Sequence, residues 1–255
     1  MELPKNRFKQ LLRQGRQQIG LWNTLGSALV TELLGGSGFD WLCLDTEHSP
    51  NDVLTILPQL QALSASPTAV VVRPAWNDTV LIKRYLDIGV QTLLIPYVQN
   101  ETEAKAAVLA TRYPPQGVRG VSGTARATQF GRIKDYAETA SAELCLLVQV
   151  ETLTAIDRIE AIAEVDGVDG IFVGPGDLAA SMGFAGQLNH PQLVAAVEAA
   201  IGRIVAAGKP AGILTTDPTF ADRCIELGTT FTAVGLDAAI LARESEKLAA
   251  RFNRP

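Results

Sequence analysis

The sequence predicts a (β/α)8 barrel, and three observations lead to that fold class. First, eight short apolar runs alternate with amphipathic segments along the chain, which is the pattern of parallel strands joined by crossover helices. Second, the chain has 255 residues, close to the usual size of a barrel with eight such units. Third, no linker, composition shift or low-complexity segment divides it, so we expect one domain that covers residues 1–255. An open doubly wound sheet allows the same alternation, but eight units at this length favour closure.

The predicted elements follow one another in regular alternation. The strands are residues 18–22, 41–45, 69–73, 92–96, 144–150, 170–173, 211–214 and 231–234. Amphipathic segments predict helices at residues 7–14, 27–34, 51–63, 79–88, 101–112, 133–140, 153–163, 191–207, 218–227 and 238–252. The first of these helices precedes the barrel and is expected to close one of its ends. Residues 113–132 show little apolar periodicity, and an irregular stretch of that length in a compact domain is usually functional.

The bulk composition excludes several classes of function. The net charge is −5 and no basic run occurs, so we expect neither nucleic acid nor an anionic membrane surface as a partner. The N-terminal segment lacks the apolar core of a signal peptide, and no apolar stretch is long enough to span a bilayer. Cys43, Cys145 and Cys224 follow no pairing pattern, and two of them lie within apolar runs. They predict buried thiols in the reducing environment of the cytoplasm.

Residues 144–177 carry two carboxylates at corresponding positions of one strand–helix–strand unit. Glu151 ends the first strand and Asp177 follows the second, and parallel strands end at the same edge of a sheet. Two carboxylates that face one small volume repel each other unless a cation lies between them, so the pair predicts a divalent metal site. The alternative is structural: Glu151 would favour the positive start of the next helix, and Asp177 would cap a short helix near Leu178.

Other polar side chains stand at the ends of predicted strands, where a barrel carries its functional groups. Asp45, Glu47 and His48 follow the second strand, Arg73 ends the third, and Gln149 lies near the end of the fifth. Imidazole suits proton transfer near neutral pH, and a guanidinium can stabilise developing negative charge. The alternatives are an exposed histidine before the next helix, and a surface ion pair of Arg73 with Asp45 or Glu47.

These groups suit the chemistry of α-keto acids. Carboxylate ligands favour Mg2+, Mn2+ or Co2+, and an open ion of that kind can chelate the carboxylate and keto oxygens of an α-keto acid and stabilise its enolate. The backbone N–H groups of Gly176 and Asp177, which open a helix, could hold the substrate carboxylate. A Schiff-base mechanism would need a lysine at the C-terminal end of a strand, and no lysine is well placed for it.

Seven motifs, spread in order over nearly the whole chain, closely resemble those of the metal-dependent (class II) pyruvate aldolases. They are GLWNTLGS, GFDWLCLDTEHSPND, VVRPAWNDTVLIKRYLDIGVQTLLIPYVQN, ATRYPPQGVRGV, LVQVET, VDGIFVGPGDLAASMG and FTAVGLD. The resemblance is nearest to the 4-hydroxy-2-oxoheptanedioate aldolases of aromatic-acid breakdown. It implies a barrel of the phosphoenolpyruvate/pyruvate type and retro-aldol cleavage of a 4-hydroxy-2-oxo acid into pyruvate and an aldehyde, which for the heptanedioate is succinate semialdehyde.

The resemblance also implies roles for individual residues. Glu151 and Asp177 would be the metal ligands. His48 would be the catalytic base, and Asp87 of the LDIG motif would raise its basicity. Arg73 would stabilise the transition state.

Further positions would contact the substrate. The pyruvate part would meet Gln149 and the backbone of Gly176 and Asp177, and Leu214 would line the aldehyde side. Thr46 stands where the family usually has glycine, and Gly176 stands where it usually has alanine. Neither departure removes a catalytic group, and both concern the choice of aldehyde.

The resemblance extends to assembly. Its members are typically homohexamers built from dimers that exchange a C-terminal helix, which would be residues 238–252 in this chain. Three other functions remain open at this point. The chain could cleave a sugar-derived 2-keto-3-deoxy acid, it could act on a coenzyme A thioester as related lyases do, or it could bind keto acids without turnover.

Overall fold

Eight parallel strands form a closed barrel in the computed structural model, which describes residues 1–252. The strands are β1 (Gln18–Asn23), β2 (Trp41–Asp45), β3 (Ala69–Arg73), β4 (Thr92–Ile95), β5 (Cys145–Val150), β6 (Gly170–Val173), β7 (Ala211–Leu214) and β8 (Thr229–Leu236). Each strand pairs with the next, and β1 pairs with β8 in the register Gln18↔Phe231 and Ile19↔Thr232. This pairing closes the sheet, so the predicted barrel is confirmed and the open sheet is excluded.

Helices connect the strands on the outside of the barrel. They are α1 (Arg7–Arg13), α2 (Ala28–Gly35), α3 (Val53–Ala62), α4 (Thr79–Asp87), α5 (Glu101–Thr111), α6 (Tyr136–Glu143), α7 (Leu153–Ile156), α8 (Ile159–Ala163), α9 (Pro175–Ser181), α10 (Pro191–Ala206), α11 (Pro218–Glu226) and α12 (Asp237–Phe252). A short 3-10 helix, Arg126–Thr128, lies within the long loop that precedes α6. No helix among residues 1–252 is long and apolar enough to cross a membrane.

Two helix predictions are wrong in detail. The single helix expected at residues 153–163 is divided into α7 and α8, because the N–H of Arg158 bonds to the carbonyl of Ala155 and tightens the turn between them. Ala155 and Ile159, on the two sides of the break, are both buried. The helix expected at residues 133–140 begins and ends three residues later, and its last residue, Glu143, accepts a 2.8 Å hydrogen bond from the backbone N–H of Asn6.

Aromatic side chains fill the interior of the barrel and close its N-terminal edge. Phe8 of α1 packs edge-on against Trp41 at 5.9 Å and against Phe231 at 6.1 Å between ring centroids. Gly20 and Gly212 make room for these rings, because a Cβ at either position would collide with the ring of Trp41 or Phe231. The expectation that the first helix closes one end is therefore confirmed, and the C-terminal edge is the end left for a site.

The last helix, α12, covers little of its own barrel. Its apolar residues Leu241, Leu248 and Phe252 share one face as predicted, and all three are exposed. Asp237 at its start is the buried residue of this helix, and its carboxylate accepts hydrogen bonds from the backbone N–H groups of Thr24 and Leu25 at 2.9 and 3.1 Å. The start of α12 is thus fixed to the barrel, whereas the residues of its apolar face are largely exposed within residues 1–252.

Candidate active site

Arg73 lies at the C-terminal end of β3, and the residues after β2 hold its guanidinium. The strand register places Asp45 beside Arg73, and the two side chains form paired hydrogen bonds of 2.8 Å (Nε to Oδ1) and 2.7 Å (Nη2 to Oδ2). On the other side, Nη1 lies 2.8 Å from Oε2 of Glu47. Arg73 is 6% exposed, and its guanidinium carbon stands 5.3 Å from the ring centre of Trp22. The ion pairs considered from the sequence exist, but they are buried and lie within the candidate site.

These contacts fix the charge of Arg73. Although burial lowers its pKa, the hydrogen bonds and the charge of Asp45 raise the pKa above the ordinary value for arginine. Glu47 behaves differently, because its pKa is raised to about 7. Burial is the largest cause, the charge of Arg73 lowers the pKa, and the charges of Asp45 and Asp177 raise it. The contact between Glu47 and Arg73 is close, yet Oε2 of Glu47 has no aligned hydrogen bond. Glu47 is thus the weaker of the two partners.

Glu151 follows β5 and is 1% exposed. Its Oε1 atom accepts a 2.7 Å hydrogen bond from the backbone N–H of Tyr97, and its Oε2 atom accepts one from Nε2 of Gln149. Tyr97 has a left-handed backbone, with φ of 55°, which is rare for a bulky residue and characteristic of strained functional positions. Burial, together with the charges of Glu47 and Asp177, raises the pKa of Glu151 to about 7 against these hydrogen bonds.

Asp177 stands in the first turn of α9, at the same edge of the barrel. Gly174 is the N-cap of α9, and Thr152 is the N-cap of α7, so neither Asp177 nor Glu151 acts as a helix cap. The structural alternative for Asp177 is therefore wrong, and the carboxylate of Glu151 bonds to Tyr97 and Gln149 rather than to α7. The charge of Asp177, which is exposed, acts on both Glu47 and Glu151, so the three carboxyl groups lie near one another at this edge.

The start of α9 has open space beside Gly176. A Cβ at Gly176 would meet no atom within 4 Å. Gly174, by contrast, lies against Glu151, and a Cβ there would come within 2.8 Å of Nε2 of Gln149. Gly176 thus leaves open space, whereas Gly174 allows close packing against Glu151.

His48 lies at the rim of the site. Its side chain is 64% exposed, and Nε2 is 3.9 Å from Oε2 of Glu47. His48 is exposed, as the structural alternative predicts. Its neighbour Glu47 nevertheless contacts Arg73, so the imidazole lies next to the buried groups of the site. His190, interpreted from the sequence as structural, is the N-cap of α10 and stacks on Phe184.

The donor groups at this edge suit a divalent cation with an open coordination sphere. Within residues 1–252 no group of three or more His, Cys, Asp or Glu side chains is placed to hold a metal ion, so any ion here would have at most two such ligands from the chain. The carboxylates of Glu151 and Asp177 supply two hard oxygen ligands, and Oε1 of Gln149 is buried without a hydrogen-bond partner. Burial raises the pKa of Glu151, the charges of Glu47 and Asp177 raise it further, and a cation bound beside it would favour the ionised form. These oxygen donors are of the type that a hard divalent cation accepts, with positions left for water or substrate.

Leu214 and Asp87, the other two residues predicted for the site, lie at opposite edges of the barrel. Leu214, at the end of β7, is partly buried against the interior cluster on the C-terminal side. Asp87 ends α4, which runs from the C-terminal end of β3 to the N-terminal end of β4, and it accepts a 2.9 Å hydrogen bond from Arg119. Asp87 and His48 of the same chain therefore lie at opposite edges of the barrel and do not meet.

The sequence alone did not assign a role to several residues of the site. Asp45 was named only as a possible partner of Arg73, although its place at the end of β2, directly opposite Arg73, was a usable signal. The backbone N–H of Tyr97 and the ring of Trp22 left no such signal, because their contribution depends on backbone conformation and on packing.

Comparisons with known proteins agree with this geometry. The chain is 65% identical over 252 residues to a pyruvate aldolase of Rhizobium etli, which covers 99% of both chains. It is 55% identical over 249 residues to a 4-hydroxy-2-oxo-heptane-1,7-dioate aldolase of Salmonella dublin, covering 97% of this chain and 95% of that protein. A crystal structure of an HpcH/HpaI aldolase/citrate lyase family protein from Burkholderia cenocepacia superimposes with a TM-score of 0.93 at 39% identity, covering 97% of this chain and 99% of that one.

The family model described as HpcH/HpaI aldolase/citrate lyase matches residues 18–243, which include all eight strands. The prediction of an aldolase-type lyase on a (β/α)8 barrel is therefore confirmed. With this match and relatives that align over nearly their whole length, the chain belongs to the HpcH/HpaI aldolase/citrate lyase family.

Proposed function

We propose that this enzyme is a divalent-metal-dependent aldolase that cleaves 4-hydroxy-2-oxo acids into pyruvate and an aldehyde. The observation that carries the proposal is the buried guanidinium of Arg73, held by Asp45 at one edge of the barrel that also carries the carboxylates of Glu151 and Asp177. Glu151 and Asp177 would hold the ion, which when bound supplies Lewis-acid polarisation of the substrate keto group. Magnesium, manganese and cobalt each match these oxygen ligands.

The residues of the chain carry out the proton and charge transfers. His48, directly or through a water molecule, removes the proton from the C4 hydroxyl of the substrate. The C3–C4 bond then breaks, the aldehyde leaves, and the electron pair of the bond passes into the enolate of pyruvate. Arg73 donates hydrogen bonds to the oxygen on which this charge develops, and protonation of C3 completes the release of pyruvate. Because Asp45 fixes the guanidinium beforehand, little reorganisation is needed when the charge appears.

The substrate carboxylate would lie at the open start of α9. The backbone N–H groups of Gly176 and Asp177 can donate to it there, since nothing occupies the space next to Gly176. Gln149 already donates to Glu151, so its unpartnered Oε1 atom is the one available to water or a ligand. Leu214 is an apolar side chain on the same side of the barrel and would line the aldehyde portion.

For the physiological substrate we propose 4-hydroxy-2-oxoheptanedioate, with succinate semialdehyde as the aldehyde product, as part of aromatic-compound catabolism. The support is the 55% identity to a protein of that name. The relative at 65% identity is called only a pyruvate aldolase, which leaves the aldehyde open. Three alternatives therefore remain to be tested against this substrate: cleavage of sugar-derived 2-keto-3-deoxy acids, cleavage of acyl thioesters, and binding without turnover.

We also propose that the enzyme acts in the cytoplasm as a homo-oligomer, by resemblance a hexamer in which α12 is exchanged between subunits. The exposed apolar face of α12 supports this, because Leu241, Leu248 and Phe252 need a cover that residues 1–252 of the same chain do not give. Since Asp87 lies at the opposite edge from His48, it could raise the basicity of His48 only in another copy of the chain.

The test is pyruvate release from a panel of 4-hydroxy-2-oxo acids, sugar-derived 2-keto-3-deoxy acids and acyl thioesters. Treatment with EDTA is expected to abolish cleavage, and Mn2+, Mg2+ or Co2+ to restore it. Full activity in EDTA, or inactivation by borohydride in the presence of pyruvate, would contradict the metal-dependent mechanism. Exchange of the pyruvate methyl protons in D2O separates a catalyst from a protein that only binds keto acids.

A further inference from the structure

Thr46 joins the backbone of β3 to helix α4 at the point where Arg73 enters the site. The carbonyl oxygen of Arg73 accepts two hydrogen bonds from Thr46, one from its backbone N–H at 3.0 Å and one from its hydroxyl at 2.7 Å. The same hydroxyl accepts a 3.0 Å hydrogen bond from the hydroxyl of Tyr85. Its donor and one of its acceptor positions are therefore both in use.

All three residues are almost fully buried. Thr46 is 5% exposed, Arg73 is 6% exposed, and Tyr85, which projects from α4, is 2% exposed. Leaving a buried hydroxyl without a partner is unfavourable, so the three groups stabilise one arrangement of donors and acceptors. That arrangement crosses from the end of β2 to the end of β3 and on to α4.

Thr46 lies between the two residues that hold the guanidinium. Asp45 and Glu47 contact the side chain of Arg73, while Thr46 holds its carbonyl group. Fixing both the main chain and the charged end leaves the long side chain little freedom to move. A guanidinium that must meet a developing oxyanion benefits from such restriction, because a displacement of about 1 Å can reduce a rate on the order of 100-fold.

We propose that Thr46 is a positioning residue for Arg73 and that the hydroxyl of Tyr85 supports it. This inference rests on the proposed aldolase function, in which Arg73 stabilises the enolate. Thr46 itself touches no substrate in this scheme. It acts through the backbone of β3, by keeping the guanidinium at the place where the charge of the enolate forms.

The experiment compares Thr46→Val with Thr46→Ser in two backgrounds, the natural chain and Arg73→Lys. Thr46→Val keeps the shape but loses the hydroxyl, and it is expected to lower kcat/KM about 10- to 100-fold. Thr46→Ser keeps the hydroxyl and restores most of the rate. In the Arg73→Lys background, Thr46→Val is expected to have little further effect, because the group that it positions is already replaced. Where that background turns over too slowly, the same cycle is measured as oxalate affinity by calorimetry.

A matched control separates positioning from stability. Thr111 is also buried, and its hydroxyl donates a 2.8 Å hydrogen bond to the carbonyl of Val108, far from the site at the end of α5. Thr111→Val is expected to lower the denaturation midpoint as Thr46→Val does, but to leave kcat/KM unchanged. Tyr85→Phe combined with Thr46→Val is expected to recover part of the stability lost in Thr46→Val, since no buried hydroxyl is then left without a partner.

The outcomes separate this inference from the function on which it rests. A natural chain that cleaves none of the 4-hydroxy-2-oxo acids overturns the proposed function, and the inference with it. An active natural chain with an equally active Thr46→Val variant overturns the inference alone. Equal proportional losses from Thr46→Val in the arginine and lysine backgrounds also overturn it, because they would show a general effect on the fold.

Discussion

The carboxylate of Glu151 lies against the backbone of Gly174, in space that is free because residue 174 has no Cβ. A Cβ there would come within 2.8 Å of both Nε2 of Gln149 and Cβ of Glu151. Gly174 is also the N-cap of α9 and bonds to the carbonyl of Val150 at 3.1 Å, so it cannot retreat without moving the helix that carries Asp177. The two proposed metal ligands are therefore held in register by one glycine.

Gly174→Ala is expected to displace Glu151 and to weaken Mn2+ binding at least tenfold, the lower end of what loss of a residue that orients metal ligands costs. Gly176→Ala is the matched control, because its Cβ would enter open space and its φ is not in the left-handed region. Calorimetric titration of both variants with Mn2+ gives the comparison. Equal affinities for the two would show that close packing at residue 174 does not determine the position of Glu151.

The pairing of Asp45 with Arg73 leads to a second prediction, which concerns stability. Asp45→Asn removes the charge that offsets a buried guanidinium, and breaking a buried ion pair typically costs 3–5 kcal/mol. We expect about 3 kcal/mol to be lost from the free energy of unfolding, since Glu47 remains as a weaker partner. Urea denaturation of the metal-free protein measures it.

The exposed pair of Glu160 and Arg203 is the control for this prediction. Its hydrogen bonds include one of 2.7 Å from Nε, but the side chain of Glu160 is 55% exposed and that of Arg203 is 35% exposed, and pairs at the surface contribute about 0–1 kcal/mol. Glu160→Gln should therefore change the unfolding free energy little. If both variants lose the same stability, burial does not set the strength of the Asp45–Arg73 pair.

Much of the fold could be predicted from the pattern of apolar residues, because each strand of the barrel is buried on both faces. The bounds of β2, β3, β6 and β7 agree with the predicted ranges. Strand β8 is longer at both ends than predicted, because Thr229 and Leu236 pair with its two neighbours where the register shifts. Such shifts depend on closure of the barrel and cannot be read from alternation along one segment.

The residues of the candidate site could be predicted from the sequence better than the contacts between them. The rule that functional groups stand at strand ends indicated Arg73, Glu151 and His48. It could not give the backbone N–H of Tyr97 as the partner of Glu151, since that contact depends on a left-handed backbone angle. Asp87 came from motif resemblance alone, although the end of a predicted helix already placed it at the other edge of the barrel.

Glu151 and Glu47 give the metal-free protein a distinctive pH dependence. Burial is the largest cause that raises the pKa of each carboxyl from its ordinary value of 4.5 to about 7. Between these values the folded chain binds more protons than the unfolded chain, so the free energy of unfolding falls as the pH rises. The contribution of these groups is complete below the unfolded pKa and is lost as the pH rises through about 7.

We therefore expect the urea midpoint of the protein in EDTA to decrease as the pH rises from acidic values through about 7. Glu160, whose pKa is lowered to about 2 by its hydrogen bonds with Arg203, acts in the opposite sense only near and below its ordinary value of 4.5, so the decrease is measured above that pH. The variant Glu47→Gln/Glu151→Gln should show a flatter profile. A midpoint that rises with pH in the natural chain would contradict this assignment.

Binding of Mn2+ is expected to show the opposite trend, because a ligand carboxylate must lose its proton first. Affinity should increase with pH up to about 7, where Glu151 is ionised, and then level off. Titrations in two buffers of different ionisation enthalpy count the protons released on binding. Affinity that does not vary with pH, with no proton release, would remove Glu151 from the ligand set.

The two histidines of the chain should separate rate from stability in opposite ways. The side chain of His48 is 64% exposed, and within residues 1–252 its nearest acidic partner is 3.9 Å away, so His48→Gln should change the free energy of unfolding by no more than about 0.5 kcal/mol. Because His48 is the proposed base, His48→Gln should nevertheless lower kcat about 100- to 10,000-fold.

His190 accepts a 3.3 Å hydrogen bond from the N–H of Gln192 and stacks on Phe184, with 3.6 Å between ring centroids. His190→Gln should therefore cost stability, about 1 kcal/mol for a lost cap, and leave the rate unchanged. Steady-state kinetics and urea denaturation of both variants decide the matter, and a His48→Gln enzyme of natural activity would require a different base.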